Sequence, residues 1–572
     1  MMSKTPTFFL FIAFLLPAIT FAQNRQTGAD NTLLPEINPQ DIEIRSEFKA
    51  RFPGLRRQPI LGFNPKPRVF QIDPNRIPFI ETREEAVADI SVTQLGRPEP
   101  PTRNILQDPD RMNGYIRAAL GSFVSPDVNA YGYYALDESS AVTGNMNMRG
   151  STGHLDGPES SFRYLDANIG YINKLQNGMR LSLDLGALSD FNDLYDLNDP
   201  NIQGQIGETA SKDYSGFNGQ LRLQKIKNTL NGWDLTVGGN VFSTTLDAGS
   251  STLGGETDET AGHLSFSYYW PGQKMYETFK VSGNLESATY SSDAFDSENW
   301  VNAEAAVTYE RLFDFSTRIK AKGGVSYITD AVDSKVMLSP EIEIIHYLNE
   351  RLSVTGTAFG RPELNTLQEH HQYNRFLSAD NLLRYSYDVG AGAEANLQLF
   401  GGNRVFGGAS YTHTQNYAYY QRSILAPNDT PGFYSVMYGD ANIFEIYAGA
   451  NQQLVPEKFW ANAKVYARSP KLSAGGDIPY EEKLGLEGSI SFKPVKELTL
   501  NAWAEYLGKR RSPETGTELK AFALLNAGAE YQVNDKIGVF AKMLNVSGQE
   551  YEVWSGYQER PFQIFGGITI KL

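Results

Sequence analysis

The sequence predicts an all-β protein: a transmembrane antiparallel β-barrel of about twenty-two strands behind a short proline-rich segment. Three observations carry that reading. Apolar and polar residues alternate with period two from Gly114 to Leu572. Many alternating stretches reach ten residues or more, whereas soluble strands average about five or six and tilted membrane strands need about nine to eleven. Short turns and long polar connections also alternate along the chain, the asymmetry of an outer-membrane barrel.

Composition agrees with this class. The chain has 572 residues, with 31 Tyr, 32 Phe and 52 Gly, a mixture that suits strands. Mean hydropathy is -0.38 and no 18-residue apolar run follows the N-terminus, which excludes a helical membrane protein. The absence of cysteine removes disulfides, thiolate metal sites, a cysteine nucleophile and a lipoprotein anchor. A net charge of -15 argues against nucleic acid as a partner.

Residues 1–22 read as a secretory signal peptide. Lys4 supplies the positive start, Phe8 to Ile19 the apolar stretch, and Thr20-Phe21-Ala22 a small-x-small cleavage site. Residues 23–112 hold twelve of the 28 prolines, so long regular strands are not expected there. This segment contains a basic run: Arg45, Lys49, Arg51, Arg56, Arg57, Lys66, Arg68 and Arg76, opposed only by Glu47 and Asp73. Either it is a disordered periplasmic tail, or it sits as a reduced plug inside an acidic lumen. Residues 113–572 are the barrel.

Within the barrel, Met179, Leu181, Leu183, Leu185 and Ala187 share one face, against Arg180, Ser182, Asp184 and Gly186 on the other. Phe562, Ile564, Ile568, Ile570 and Leu572 do the same near the C-terminus, opposite Gln563, Thr569 and Lys571. Ten short turns recur, among them Asp137-Glu138-Ser139-Ser140, Leu348-Asn349-Glu350 and Val533-Asn534-Asp535. They join twenty strands, and the first strand near Tyr115 and the last ending at Leu572 make twenty-two. The pair near 128–136 and 141–151 also fits a single bent strand. Long connections are expected at 190–213, 246–260, 360–382, 417–435, 467–481, 507–518 and 547–560. In lipid an open sheet edge leaves unpaired amides, so the barrel must close.

Several C-terminal features are distinctive: Leu525-Asn526-Ala527-Gly528-Ala529-Glu530-Tyr531, then Asn545, Tyr551, Trp554, Gly556-Tyr557, Arg560, Phe562 and the final alternating strand. With them go Tyr115 to Phe123 and Arg149-Gly150-Ser151-Thr152-Gly153-His154 near the barrel start. On these residues the chain resembles the TonB-dependent receptors of the Bacteroidetes type, with a reduced or degenerate plug. The resemblance implies a twenty-two-stranded barrel in the bacterial outer membrane. It implies outer-membrane lipids and the barrel assembly machinery as partners, with TonB or a surface lipoprotein as further candidates. Two departures stand out: Leu572 replaces a terminal aromatic, and the segment before the barrel is shorter than the family's plug.

No catalytic signature is present, so no enzyme and no cofactor are expected. Asp190, Asp193, Asp196 and Asp199 recur every third residue and are Ca²⁺ ligand types, but the spacing is not that of an EF-hand and a solvated acidic loop is the better account of them. Glu369, His370 and His371 fall in a long loop with Glu363, where adjacent histidines of an extended chain point apart. Tyr417, Tyr419, Tyr420 and Tyr434 are candidates to stack on a ligand at a surface loop. The function expected is a receptor or transport barrel, porin-like in its lumen, that moves or binds a solute. The alternative is a non-transporting barrel that scaffolds an envelope complex.

Overall fold

The computed structural model describes residues 113–572, apart from 156–159, 176–177, 195–209, 228–230, 248–254, 275, 294, 380, 400–402, 423–433 and 514–517. Twenty-three strand segments form one antiparallel sheet. Two of them, Ser334–Leu338 and Glu341–Tyr347, pair with the same neighbour, Thr317–Thr329. They are one wall strand broken at Pro340, which has no N–H to give the ladder. The wall therefore has the twenty-two strands that the turns predict. The stretch near 128–151 is two strands, Ser125–Ala135 and Ser140–Ser151, joined in register from Asp127↔Arg149 to Ala135↔Ala141.

Closure is direct. The first strand, Gly114–Gly121, pairs with the last, Gln563–Lys571, from Tyr115↔Lys571 to Gly121↔Phe565. Gly121 allows the Phe565 ring to lie against the seam, and Phe565 packs with Ala119, Trp503, Phe540 and Leu544. A buried ion pair between Lys542 and Asp127 reaches across the seam strands. The N–H of Leu572 donates to the carbonyl of Gly114 at 2.8 Å, so both ends of the barrel meet at the short-turn rim.

Turn chemistry explains that rim. The Asp137 carboxylate accepts the N–H groups of Ser139 and Ser140 at 2.7 and 2.8 Å. Asn349 accepts from Arg351 and Leu352, and Asn534 from Lys536 and Ile537, all at 2.8–2.9 Å. An Asp or Asn side chain that caps its own turn holds a short hairpin without further packing.

Alternation then sorts the two faces. Val237 and Val241, Leu264 and Phe266, and Ile564 and Ile568 are exposed and form part of an apolar outer belt. On the same strands Phe242, Thr257 and Glu259 are fully buried on the opposite, inward face. An apolar surface this extensive is stable against lipid rather than water. The inward face is charged, with Lys322 2.6 Å from Glu304 and Arg468 bridging Glu445, Glu481 and Glu482 at 2.8–3.3 Å.

The strand ends differ from expectation at the long-loop rim. Met179–Leu194 and Ala210–Lys227 run well into the expected loop 190–213, and Arg404–Arg422 and Tyr434–Val455 into 417–435. Ladder pairing continues past the apolar belt, so the polar sequence beyond the membrane is strand as well as loop.

Candidate functional site at the barrel mouth

Residues 364–385 connect Leu352–Glu363 to Ser386–Gln398 at the long-loop rim. The expectation of a plain loop at 360–382 is corrected here. Residues 367–373 form a helix, α1 (Leu367–Tyr373), with Thr366 as N-cap and a reciprocal bond from Glu369. The Thr-x-x-Glu spacing is a capping box, the one sequence signal that could have revealed it.

The segment is not a solvated loop. Leu367, Leu377 and Leu383 are completely buried, as is His371. They pack on inward side chains of the wall: Tyr214, Phe242, Tyr290, Trp300 and Ile328 gather with Leu367, Leu383 and Tyr385. Leu377, Tyr373 and Phe376 join a second cluster with Tyr420, Tyr434, Tyr480, Trp554 and Tyr557. The segment thus touches strands from opposite parts of the sheet order and lies across the mouth.

Polar groups of the wall hold it. The buried Glu259 carboxylate accepts the N–H groups of Leu367 and Gln368 at 3.0 and 3.4 Å, and the indole N–H of Trp300 at 2.9 Å. A carboxylate there also satisfies the free amides at the start of α1. Lys212, fully buried, donates its ammonium to the carbonyls of Arg375 and Leu377 at 3.1 and 2.7 Å. Thr257 donates to Ala379, while Tyr290 and Asp330 accept from Leu383 and Tyr385, all at 2.8–3.0 Å. Arg375 reaches Asn192 at 3.1 Å and Glu559 at 3.4 Å.

The two histidines of α1 are both enclosed and diverge. Nδ1 of His370 lies 2.8 Å from the Tyr420 hydroxyl, and the His371 ring lies on Phe242 at 5.6 Å. Burial pushes the His370 imidazole down to about 3. It pushes His371 well below its ordinary value, with Lys212 and His370 adding like charge. Neither ring nitrogen of His371 has a hydrogen-bond partner among the described residues.

Other candidates fall differently. Tyr417, Tyr419 and Tyr420 lie on the strand Arg404–Arg422, and Tyr434 begins the next strand. Tyr420 and Tyr434 are packed around Trp554, with centroids 5.4 and 5.1 Å away. Tyr417 packs with Ala441, Ile443 and Ile478, and Tyr419 against that group. Tyr420 and Tyr434 thus belong to the cluster that holds the segment, whereas Tyr417 and Tyr419 pack outside it. Asp190 accepts from the Tyr214 hydroxyl at 2.7 Å, whereas Asp193 accepts from Ser161 at 2.6 Å. Three residues apart on one strand, they face opposite sides and do not converge on an ion. Asp196 and Asp199 lie outside the described residues, as do Arg45, Lys49, Arg51, Arg56, Arg57, Lys66, Arg68 and Arg76. Lys212 and Glu259 carry no motif and stand out only once the segment lies over them.

Replacing Lys212 by Met should loosen the segment, because two buried carbonyls lose their donor at roughly 1–3 kcal/mol each. Trypsin cleavage after Arg375 in the intact barrel should then rise about tenfold or more. Cleavage unchanged from the parent protein would show that the ammonium does not hold the segment.

No family model matches the sequence, and no curated protein matches it. Solved structures do match. The ferric-catecholate import receptor Fiu of E. coli K12 aligns with TM-score 0.62 at 10% identity, over 82% of each chain. The pyoverdine outer membrane receptor FpvA of Pseudomonas aeruginosa PAO1 aligns at 0.63 and 12%, over 82% of this chain and 79% of that one. The FrpB iron transporter of Neisseria meningitidis aligns at 0.63 and 10%, over 81% and 82%. The fold is that of an outer-membrane receptor barrel. At such identities the likeness extends to the wall and its closure, and the mouth segment is argued from its own residues.

Proposed function

We propose that this protein is a receptor or transport barrel of the bacterial outer membrane, with the lumen as solute path and residues 364–385 as the closure of its outer mouth. The observation that carries the reading is a buried, latched segment lying across a closed barrel with a charged interior. A scaffold needs neither a lined lumen nor a mouth closure, and no observation favours that alternative. An import receptor, a pyoverdine receptor and an iron transporter have the same fold, which supports a solute-handling barrel. Partners on this reading are lipid around the belt and the assembly machinery during insertion, with TonB or a surface lipoprotein at the rims.

The basic run Arg45–Arg76 belongs to the same proposal as a reduced plug. Its net charge is +6, and the barrel from 113 onward carries 37 basic and 53 acidic residues, a net of -16. Attraction between the two is less screened inside the lumen than in bulk salt. Arg56 and Arg57 are the residues expected to pair with wall carboxylates.

Conductance in a planar bilayer tests both closures. The full-length protein should conduct little. Exchanging 366–384 for a Gly–Ser linker should open the outer mouth, and removing 24–110 should open the lumen. The double variant should conduct most. A full-length protein that conducts freely, unaffected by either change, would sink the proposal.

A further inference from the structure

The wall is not paired along its whole height. Below Pro340, Glu341–Tyr347 is laddered on both sides, to Thr317–Thr329 and to Leu352–Glu363. Above it, Ser334–Leu338 is laddered to Thr317–Thr329 alone. The Gly360 N–H still donates to the Pro340 carbonyl at 2.8 Å. Beyond that bond, residues 361–363 pair with 386–388 on their far side, and no ladder joins them to Ser334–Leu338.

The sequence sets this split. Successive amides of a strand point to opposite sides. The Gly360 bond therefore fixes the direction of its neighbours: the amide nitrogens of Pro340 and Pro362 both face the gap, and neither carries a hydrogen. Two donors that would zip the edges together are missing. The gap lies at the height of the apolar belt. Leu338 and Val336 are in register with Val325 and Tyr327 and are 63% and 68% exposed. An open edge in hydrocarbon costs several kcal/mol for each unmet amide, so a split at this depth calls for a filler.

One side chain bridges it. Tyr387 shares the outer face of its strand with the exposed Val389, and its hydroxyl donates to the Leu338 carbonyl at 2.8 Å. It passes over Gly360, where a Cβ would lie 2.8 Å from that hydroxyl. On the lumen side Met337 and Leu364 pack against the apolar cluster of Trp300, Ile328 and Tyr385. A single bond thus separates an apolar outer surface from an apolar inner one.

We propose that this split is a binding site for one acyl chain of an outer-leaflet lipid, with Tyr387 as its latch. The chain enters sideways from the belt, covers Leu338 and Val336 and reaches Met337. The carbonyls of Pro340 and Leu338 already have donors, and the two prolines offer none. A peptide strand added here would meet those prolines, whereas a methylene chain needs no partner from them. The site lies in the wall and does not require the lumen to conduct.

The chain contains no cysteine, so single-cysteine variants of the full protein take a bimane label at one place. Met337→Cys, Val336→Cys and Glu343→Cys are each labelled and reconstituted into vesicles of phosphatidylcholine brominated at mid-chain, with plain phosphatidylcholine as reference. The label at position 336 faces lipid and should be quenched most. The label at 343, inward on the paired part of the same wall strand, should not be quenched. The label at 337, equally inward, should be quenched to a level between them. Tyr387→Ala should raise quenching at 337 to the level of 336. Pro340→Val with Pro362→Val, which restores both donors, should lower it to the level of 343. A label at 337 that is quenched no more than that at 343, in the parent and in Tyr387→Ala, overturns the proposal. So does quenching at 337 that neither the latch nor the proline changes alter. Quenching at 337 by a brominated free fatty acid but not by the brominated phospholipid overturns the choice of a membrane lipid as occupant.

Discussion

Deleting Phe562–Leu572 is expected to remove the protein from the outer-membrane fraction. The last strand is paired on both sides, with Gly114–Gly121 and with Ile537–Leu544. Its loss leaves two unpaired edges, and each unsatisfied amide in hydrocarbon costs several kcal/mol. It also removes the Phe565 ring that lies beneath Lys542, the lysine paired with Asp127 across the seam. A subtler variant separates insertion from closure. Ile568→Arg keeps the ladder but puts a charge on the lipid face, at roughly 2–4 kcal/mol near the bilayer centre. Membrane fractionation and heat-modifiable gel mobility report both. Normal amounts of the deletion variant in the outer membrane would refute the role of this strand.

Acid is expected to release the mouth segment. His370 and His371 are neutral when the segment is docked, since burial lowers both, His370 to about 3. Undocked they would titrate near 6.5. A lowered docked value means that this part of the docking stability is present above about 6.5 and is lost as pH falls towards 3. His370 loses about 1.4 kcal/mol per pH unit in that window, about 2 kcal/mol by pH 5, and His371 shifts in the same direction. Glu369 and Glu259, both raised by burial, take up protons in the docked state and oppose the histidines. Of the other groups around them, Tyr420 carries no charge here and Lys212 adds repulsion. Conductance should therefore rise between pH 6.5 and 5 and fall back on return. His370→Phe with His371→Phe should abolish that rise. A flat profile in the parent protein, or an unchanged one in the double variant, would rule out the histidines as its source.

The wall was legible because its determinants are local. A turn such as Leu348-Asn349-Glu350 is closed by the Asn349 side chain within three residues. The facing of a strand follows from alternation alone, so strand number and the outer belt could be read along the chain. Strand ends were less legible. Asp190 looked like a loop residue because it is polar, yet it faces Tyr214 in register and shares a hydrogen bond with it.

What the sequence by itself determined is therefore the barrel: an even number of long amphipathic strands in one closed antiparallel sheet. What only the tertiary structure decided is what lies across the mouth. The bonds that settle it join Glu259 to Leu367, Lys212 to Leu377 and Arg375 to Glu559, at separations of 108, 165 and 184 residues. Local propensity and period have nothing to say at such distances. Closing the ring brings these inward side chains together, and a capped helix followed by a turn then satisfies groups that would otherwise be buried without partners.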